Sequence, residues 1–226
     1  MAEAISNKPA KGGERAINAA RIKINVLSST LRLLGKRSFR DLHVDEICKD
    51  SGISKVTLFK YFPQKEDILL YYMRVWAFNR SMELHQKPRH GLKGVYYLFD
   101  RLADTYEKHP GLALGMVSYL TSDNRPPQPI PLKSMERRVL YPGKRFADEL
   151  QVLTIPQFLE NFLLEAILDR EIDQASDARD LAQLFSSLLY GTLVTAHLKQ
   201  LSPMRMVFRK HIDMTLKGLQ GKRVKF

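Results

Sequence analysis

Residues 26–70 read VLSSTLRLLGKRSFRDLHVDEICKDSGISKVTLFKYFPQKEDILL, and this stretch decides the fold. Ile24, Leu27, Leu31 and Leu34, with Val26 and Leu33 widening the stripe, recur at helical spacing and predict a helix from residue 15 to about 37. A short second helix is predicted over 44–49, with Val44 and Ile47 inward. Asp45 and Glu46 fall in its first turn, where carboxylates meet the positive end of the helix dipole. Ser51-Gly52 stops it, because glycine tolerates a left-handed turn. Ser54 is placed to cap a third helix through Tyr61, and Pro63 ends that helix. Two short helices joined by a glycine-containing turn form a helix-turn-helix candidate. Its exposed side offers Lys55, Thr57, Lys60 and Tyr61; Leu58 and Phe62 anchor it inward.

Outward from this stretch the chain reads as helix after helix. The spacing predicts helices over 64–85, 92–108, 112–120, 132–140, 143–153, 155–170, 177–201 and 203–219. Residues 123–131 carry Pro126, Pro127, Pro129 and Pro131 and read as a loop. No alternating strand pattern and no internal repeat appears. The predicted fold is all-α: a three-helix helix-turn-helix domain over 15–63, preceded by a flexible basic arm over 1–14 and followed by a larger helical domain over 64–226.

Composition agrees with a folded chain. Of 226 residues, 44% are hydrophobic and 27% charged, which excludes disorder as the dominant state. The net charge of +12 and sequence pI near 9.8 favour nucleic acid or an anionic membrane surface as partner. The basic residues crowd one end: from Lys8 to Arg40 stand Lys8, Lys11, Arg15, Arg21, Lys23, Arg32, Lys36, Arg37 and Arg40 against Glu14 alone. An arm carrying Lys8, Lys11 and Arg15 either follows a DNA backbone or minor groove or is a solvated tail. One cysteine excludes an intramolecular disulfide and fits a reducing compartment. No run approaches ~18 uninterrupted apolar residues, so no transmembrane helix is expected.

The order, spacing and residue types of residues 26–70 together resemble the DNA-binding domain of the TetR family of bacterial transcriptional repressors. The markers are the aliphatic first helix, Phe39, Val44-Asp45-Glu46-Ile47, Ser51-Gly52-Ile53-Ser54, Thr57-Leu58-Phe59-Lys60-Tyr61-Phe62 and Lys65-Glu66. The resemblance covers about 45 residues and implies a cytoplasmic homodimer that binds a palindromic operator on double-stranded DNA. It implies too that a C-terminal helical domain senses a small-molecule effector, here unidentified. Carried onto matching positions, it puts base contacts on Lys55, Val56 and Thr57, mixed base or phosphate contacts on Phe59, Lys60 and Tyr61, and a phosphate contact on Lys65. His43 stands where the family commonly has a capping threonine that reaches a phosphate, and Phe59 replaces a frequent tyrosine and lacks its hydroxyl. Ser38 departs from a usual glycine, and Gln64 from a small capping residue.

The last two predicted helices are apolar around much of their circumference, through Leu181, Leu184, Phe185, Leu188, Leu189, Thr192 and Ala196, and through Val207, Phe208, Ile212, Met214, Leu216 and Leu219. Such helices must be covered on more than one side; the resemblance implies that they form the dimer interface. Tyr96, Tyr97, Phe99, Tyr106, Met116, Tyr119, Phe158, Phe162, Phe185, Tyr190 and His197 are core at helical spacing or, collectively, the lining of an apolar cavity. His85, His90 and His109 match no zinc spacing, and Cys48 reads as a small buried hydrophobe. No nucleophile-elbow, P-loop or dinucleotide motif is present, so neither catalytic residues nor a cofactor is assigned. Two other readings stand beside the regulator: a helical enzyme or small-molecule-binding protein with a relic helix-turn-helix, and a membrane-surface protein using the basic first helix. At the DNA surface, the Val56 methyls suit a thymine methyl. Val56→Gly should change base preference at one operator position, as read by selection from a random duplex library.

Overall fold

The computed structural model describes residues 11–35, 37–122, 130–173 and 175–220, with ten α-helices and no strand among them. Lys8 and the rest of residues 1–10 lie outside the described residues, as do residues 123–129 of the proline-rich segment.

Helix α1 (Lys11–Leu34) begins four residues before the predicted start at residue 15, so residues 11–14 belong to the helix and not to an arm. It ends at Leu34, where Gly35 takes φ +47, and a 3-10 turn (Phe39–Asp41) follows. Helix α2 (Val44–Ser51) ends at Gly52 in the left-handed region, φ 68, and helix α3 (Lys55–Tyr61) starts beyond a Ser54 cap whose hydroxyl accepts from the Thr57 amide. Helix α4 (Asp67–Gln86) leads out of this head into the body: α5 (Gly91–Lys108), α6 (Pro110–Leu120), α8 (Ile155–Leu168), α9 (Ala178–Lys199) and α10 (Met204–Gln220). There α8 packs between α5 and α9, and α10 closes over α5. Short helix α7 (Ser134–Leu140) returns from the body to lie along α1.

One prediction fails outright. Residues 143–153 form a 3-10 turn (Arg145–Asp148) and then irregular chain up to Thr154. Side chains take the place of a helical ladder in satisfying its carbonyls. Arg137 donates to Asp148 O and Leu150 O at 3.2 and 3.0 Å, Ser81 to Gln151 O at 3.0 Å, and Arg74 to Val152 O at 3.1 Å. Local periodicity could not anticipate donors from 11 to 78 residues away.

Three apolar clusters organise the described residues. The body core gathers around Phe99, Phe185 and Phe208. The head core joins Ile47, Leu58 and Phe62 to Tyr71 and Phe78 of α4, and to Leu132 and Ala147 of the returning segment. Between the two, Leu34 and Phe39 of the head meet Leu69 of α4 and Leu112 and Met116 of α6. This seam is tight enough to need glycine: a Cβ on Gly111 would sit 1.9 Å from Arg37 O.

The returning segment is fastened by a buried ion pair. Lys23 Nζ lies 2.6 Å from Glu136 Oε1, both side chains almost wholly buried, and 4.3 Å above the Tyr71 ring. The other Glu136 oxygen accepts from Lys133 N at 2.8 Å. Each partner is thus satisfied only while the other is present. Removing one from such a pair leaves an unpaired buried charge, at a cost of about 3–5 kcal/mol. Lys23→Met or Glu136→Leu alone should lower the free energy of denaturant unfolding by that amount, whereas the double variant should recover most of the loss.

Candidate nucleic-acid interface

The second helix of the motif owes its position to two side chains. Leu58 and Phe62 are fully buried, one turn apart on the inner face of α3, and Phe62 meets Tyr71 edge-to-face at 5.6 Å between ring centroids. The opposite face is left to solvent: Val56 is 81% and Phe59 44% exposed, and Lys55 and Lys60 stand beside them. Thr57 and Tyr61 are half-buried at the edges. The structure thus brings Lys55, Val56, Thr57, Phe59, Lys60 and Tyr61 onto one short helix whose outward face is theirs. The turn before it is held from α1, where Asn25 Nδ2 donates to Ser51 O at 2.8 Å.

Charges on this surface are partly committed. Lys55 Nζ pairs with Asp45 Oδ1 at 2.7 Å, a bond that raises the lysine's pKa. Arg32 pairs with Asp50, and Arg37 with Glu46 at 2.9 Å. Hydrogen bonds from Arg37 first, and from the His43 amide second, hold the Glu46 carboxyl down at about 2. His43 occupies the cap position of α2 but makes no side-chain cap bond; Glu46 reaches back to its amide at 2.9 Å, leaving the exposed imidazole free of that task. Cys48 is buried, and burial pushes its thiol up.

Lys65 has a task that the sequence did not disclose. Its ammonium donates to Phe39 O, Arg40 O and Leu42 O, each at 3.1 Å, and lies 5.0 Å from the centre of the Phe39 ring. An ammonium has three protons, so these carbonyls use all of them. Lys65 therefore ties the turn before α2 to the start of α4. Arg40, Lys49 and Lys60, by contrast, have no carboxylate partner among the described residues of the head. In the sequence Arg40 was one basic residue among many and Lys49 was not singled out, because an unpaired cation is recognised only once the neighbouring acids are placed.

The body holds a second feature. A cavity of about 70 Å³ lies among α4, α5, α6, α8 and α9, lined by Tyr72, Met73 and Trp76, by Leu102 and Thr105, by Leu112, Ala113, Met116 and Val117, by Ile155, and by Leu189, Tyr190 and Leu193. Of the aromatic and methionine residues singled out in the sequence, Met116 and Tyr190 line it, while Phe99, Phe158, Phe162 and Phe185 are body core. Among the described residues, no group of three or more His, Cys, Asp or Glu is placed to hold a metal ion.

A helical head that presents α3 outward is thus joined through α4 to a helical body with an apolar cavity. Residues 26–72 match the family model described as bacterial regulatory proteins, tetR family. The match is confined to this helix-turn-helix segment. It is 42% identical over 45 residues to the HTH-type transcriptional regulator EthR of Mycolicibacterium smegmatis, a match covering 20% of this chain and 21% of that protein. It is 40% identical over 48 residues to EthR of Mycobacterium tuberculosis, covering 21% and 22%. These matches thus span about a fifth of the relatives' length. The fold extends further: a transcriptional regulator FadR from Bacillus subtilis, solved with stearoyl-CoA, superposes with TM-score 0.60 at 16% identity, over 86% of this chain and 98% of its own. A TetR transcriptional regulator from Rhodococcus sp. RHA1 gives 0.56 at 16% identity, over 90% and 97%. Together the matches show a helix-turn-helix segment similar to that of the tetR family and a whole-chain fold similar to that of these two regulators.

Helix α9 is long and apolar enough to cross a membrane by length and mean hydropathy, 1.2 over 18 residues, although it contains no uninterrupted apolar run of that length. Its Leu181, Phe185, Leu189, Leu193 and Ala196 are seated in the body core.

The two lysines should separate by salt. Lys60→Ala should reduce the slope of log affinity against log salt by about 0.9, the share of one phosphate contact. Lys65→Met should leave that slope unchanged and destabilise the head by about 1–3 kcal/mol, the cost of unpaired carbonyls.

Proposed function

We propose that the chain is a DNA-binding transcriptional repressor that reads a palindromic operator as a homodimer and is released from it by a small-molecule effector. The observation that carries this reading is the outward face of α3, where Lys55, Val56, Thr57, Phe59, Lys60 and Tyr61 stand ready for a major groove with nothing from the body over them. Thr57 and the lysines donate to base edges or phosphates, and Val56 and Phe59 supply apolar contact. His43 adds a contact at the start of α2, and Lys65 shapes the surface from behind. The DNA-reading unit is residues 15–63, preceded by the basic segment 1–14; residues 64–226 form the effector and dimerisation unit. The working site is the bacterial cytoplasm, with DNA and not a membrane as the partner.

A dimer supplies what the last two helices lack. Leu184, Val194, Leu198 and Leu201 are exposed along and just beyond α9, and Met206 and Met214 on α10. Leu198 is 72% exposed and Met206 68%. A second copy against these faces buries them and sets two recognition helices about one DNA turn apart. The cavity in the body supports the effector half of the reading, as does the similarity of fold to a regulator holding stearoyl-CoA. The matched relatives are named as regulators, and no catalytic role is proposed.

Selection from a random duplex library at about 150 mM salt should enrich a palindrome with half-sites about one turn apart; enrichment of no sequence by ligand-stripped protein rejects the reading. Leu198→Glu with Met206→Glu should halve the mass in solution and weaken operator binding on the order of 10²-fold, through loss of the linked second half-site.

A further inference from the structure

The walls of the body cavity state what can enter it. None of the residues lining it is Asp, Glu, Lys, Arg or His. Its polar atoms are few and largely spoken for: Trp76 Nε1 donates to Thr105 Oγ1 at 3.0 Å, and that hydroxyl donates onward to Arg101 O at 3.0 Å. Burial pushes the phenols of Tyr72 and Tyr190 up, so both stand in the wall as neutral hydroxyls. A charged group brought here would surrender its hydration with no counter-charge to replace it. An apolar one loses only unfavourable contact with water.

Size sets the second limit. At about 70 Å³ the cavity is roughly half the ~150 Å³ that accommodates benzene in a protein interior, so an occupant must be compact and must move the wall. The wall is adaptable where Met73 and Met116 form it, since an unbranched thioether changes shape at low cost. Met116 faces two ways. It lines the cavity and also packs in the seam with Leu34 and Phe39 of the head. Behind it, α6 lies against the head backbone so closely at Gly111 that no side chain fits between them. A displaced Met116 therefore presses on Phe39, the residue whose carbonyl Lys65 holds beside α2.

We infer that this cavity takes a compact, uncharged, apolar ligand, such as a small arene or a short saturated chain, and that Met116 carries its presence to the DNA-reading head. The inference rests on the reading of the helical domain as an effector domain and names the chemistry of its effector.

The chain contains one tryptophan, and it stands in the cavity wall, so binding is read directly from its emission. The probes are toluene, benzoate and benzylammonium, matched in shape and differing in charge, added to the full-length protein. Toluene should shift Trp76 emission saturably and raise Tm by a few degrees, while the two ions at the same concentrations do neither. Ala113→Leu, which fills the cavity, should abolish the toluene response with helix content unchanged; Val117→Phe serves if that variant does not fold. A response to benzoate equal to that of toluene, no response to toluene, or a toluene response that survives in a folded, filled variant overturns the ligand class. The relay is read separately. Saturating toluene should weaken operator binding in the wild type and leave it unchanged in Met116→Ala. Saturable emission change with unaltered wild-type operator affinity overturns the relay and the effector reading, while the ligand class stands.

Discussion

One helix is shared by two hydrophobic cores, and the arrangement of the rest depends on it. Tyr71 of α4 is fully buried in the head core, against Phe62 at the end of α3. Trp76, five residues along, is buried in the body core. At 1.5 Å per residue the two sites are about 8 Å apart on a single rigid rod. The head cannot reorient about α4 without disturbing Tyr71, nor can the body rearrange around Trp76 without moving the same rod. The returning segment reinforces this, because Glu136 of α7 neutralises Lys23 of α1 in the same buried layer. The outward face of α3 and the cavity are thus joined by packing along one helix, with no flexible linker between them.

Charge on the head is organised in two tiers. A net charge of +12 suggests a surface crowded with free cations, but Lys23, Arg32, Arg37 and Lys55 each have a carboxylate partner, and Lys65 is spent on carbonyls. These groups hold the helices in register. The head cations without a carboxylate partner among the described residues include Lys60 on α3, Arg40 and Lys49, and these are free to meet a polyanion. Exposed pairs such as Lys55–Asp45 are weak, so a phosphate competes for that lysine readily. The buried Lys23–Glu136 pair is out of reach of any ligand.

The legible part of the candidate site was the part encoded locally. Ser54 as cap, Gly52 as left-handed turn, and Leu58 and Phe62 as the inner pair on α3 are short-range consequences of residue type. The structure places them as the spacing predicts. The cavity was legible only as a composition: Met116 and Tyr190 were among eleven candidates, and periodicity does not distinguish a residue facing a neighbour from one facing a gap. The tie that Lys65 makes was not legible, because its three acceptors lie on a turn 23 to 26 residues earlier.

Sequence alone therefore determined the all-α class, the helix-turn-helix and its outward residues, and the basic bias of the N-terminal end, since each follows from contacts within a few turns or from composition. Tertiary structure decided the rest. It placed irregular chain where 143–153 has helical periodicity, because Arg74, Ser81 and Arg137 satisfy those carbonyls from other helices. It decided which cations are free and which methionine lies between cavity and head. These depend on pairings between residues far apart in the chain, and such pairings exist only once the chain has packed.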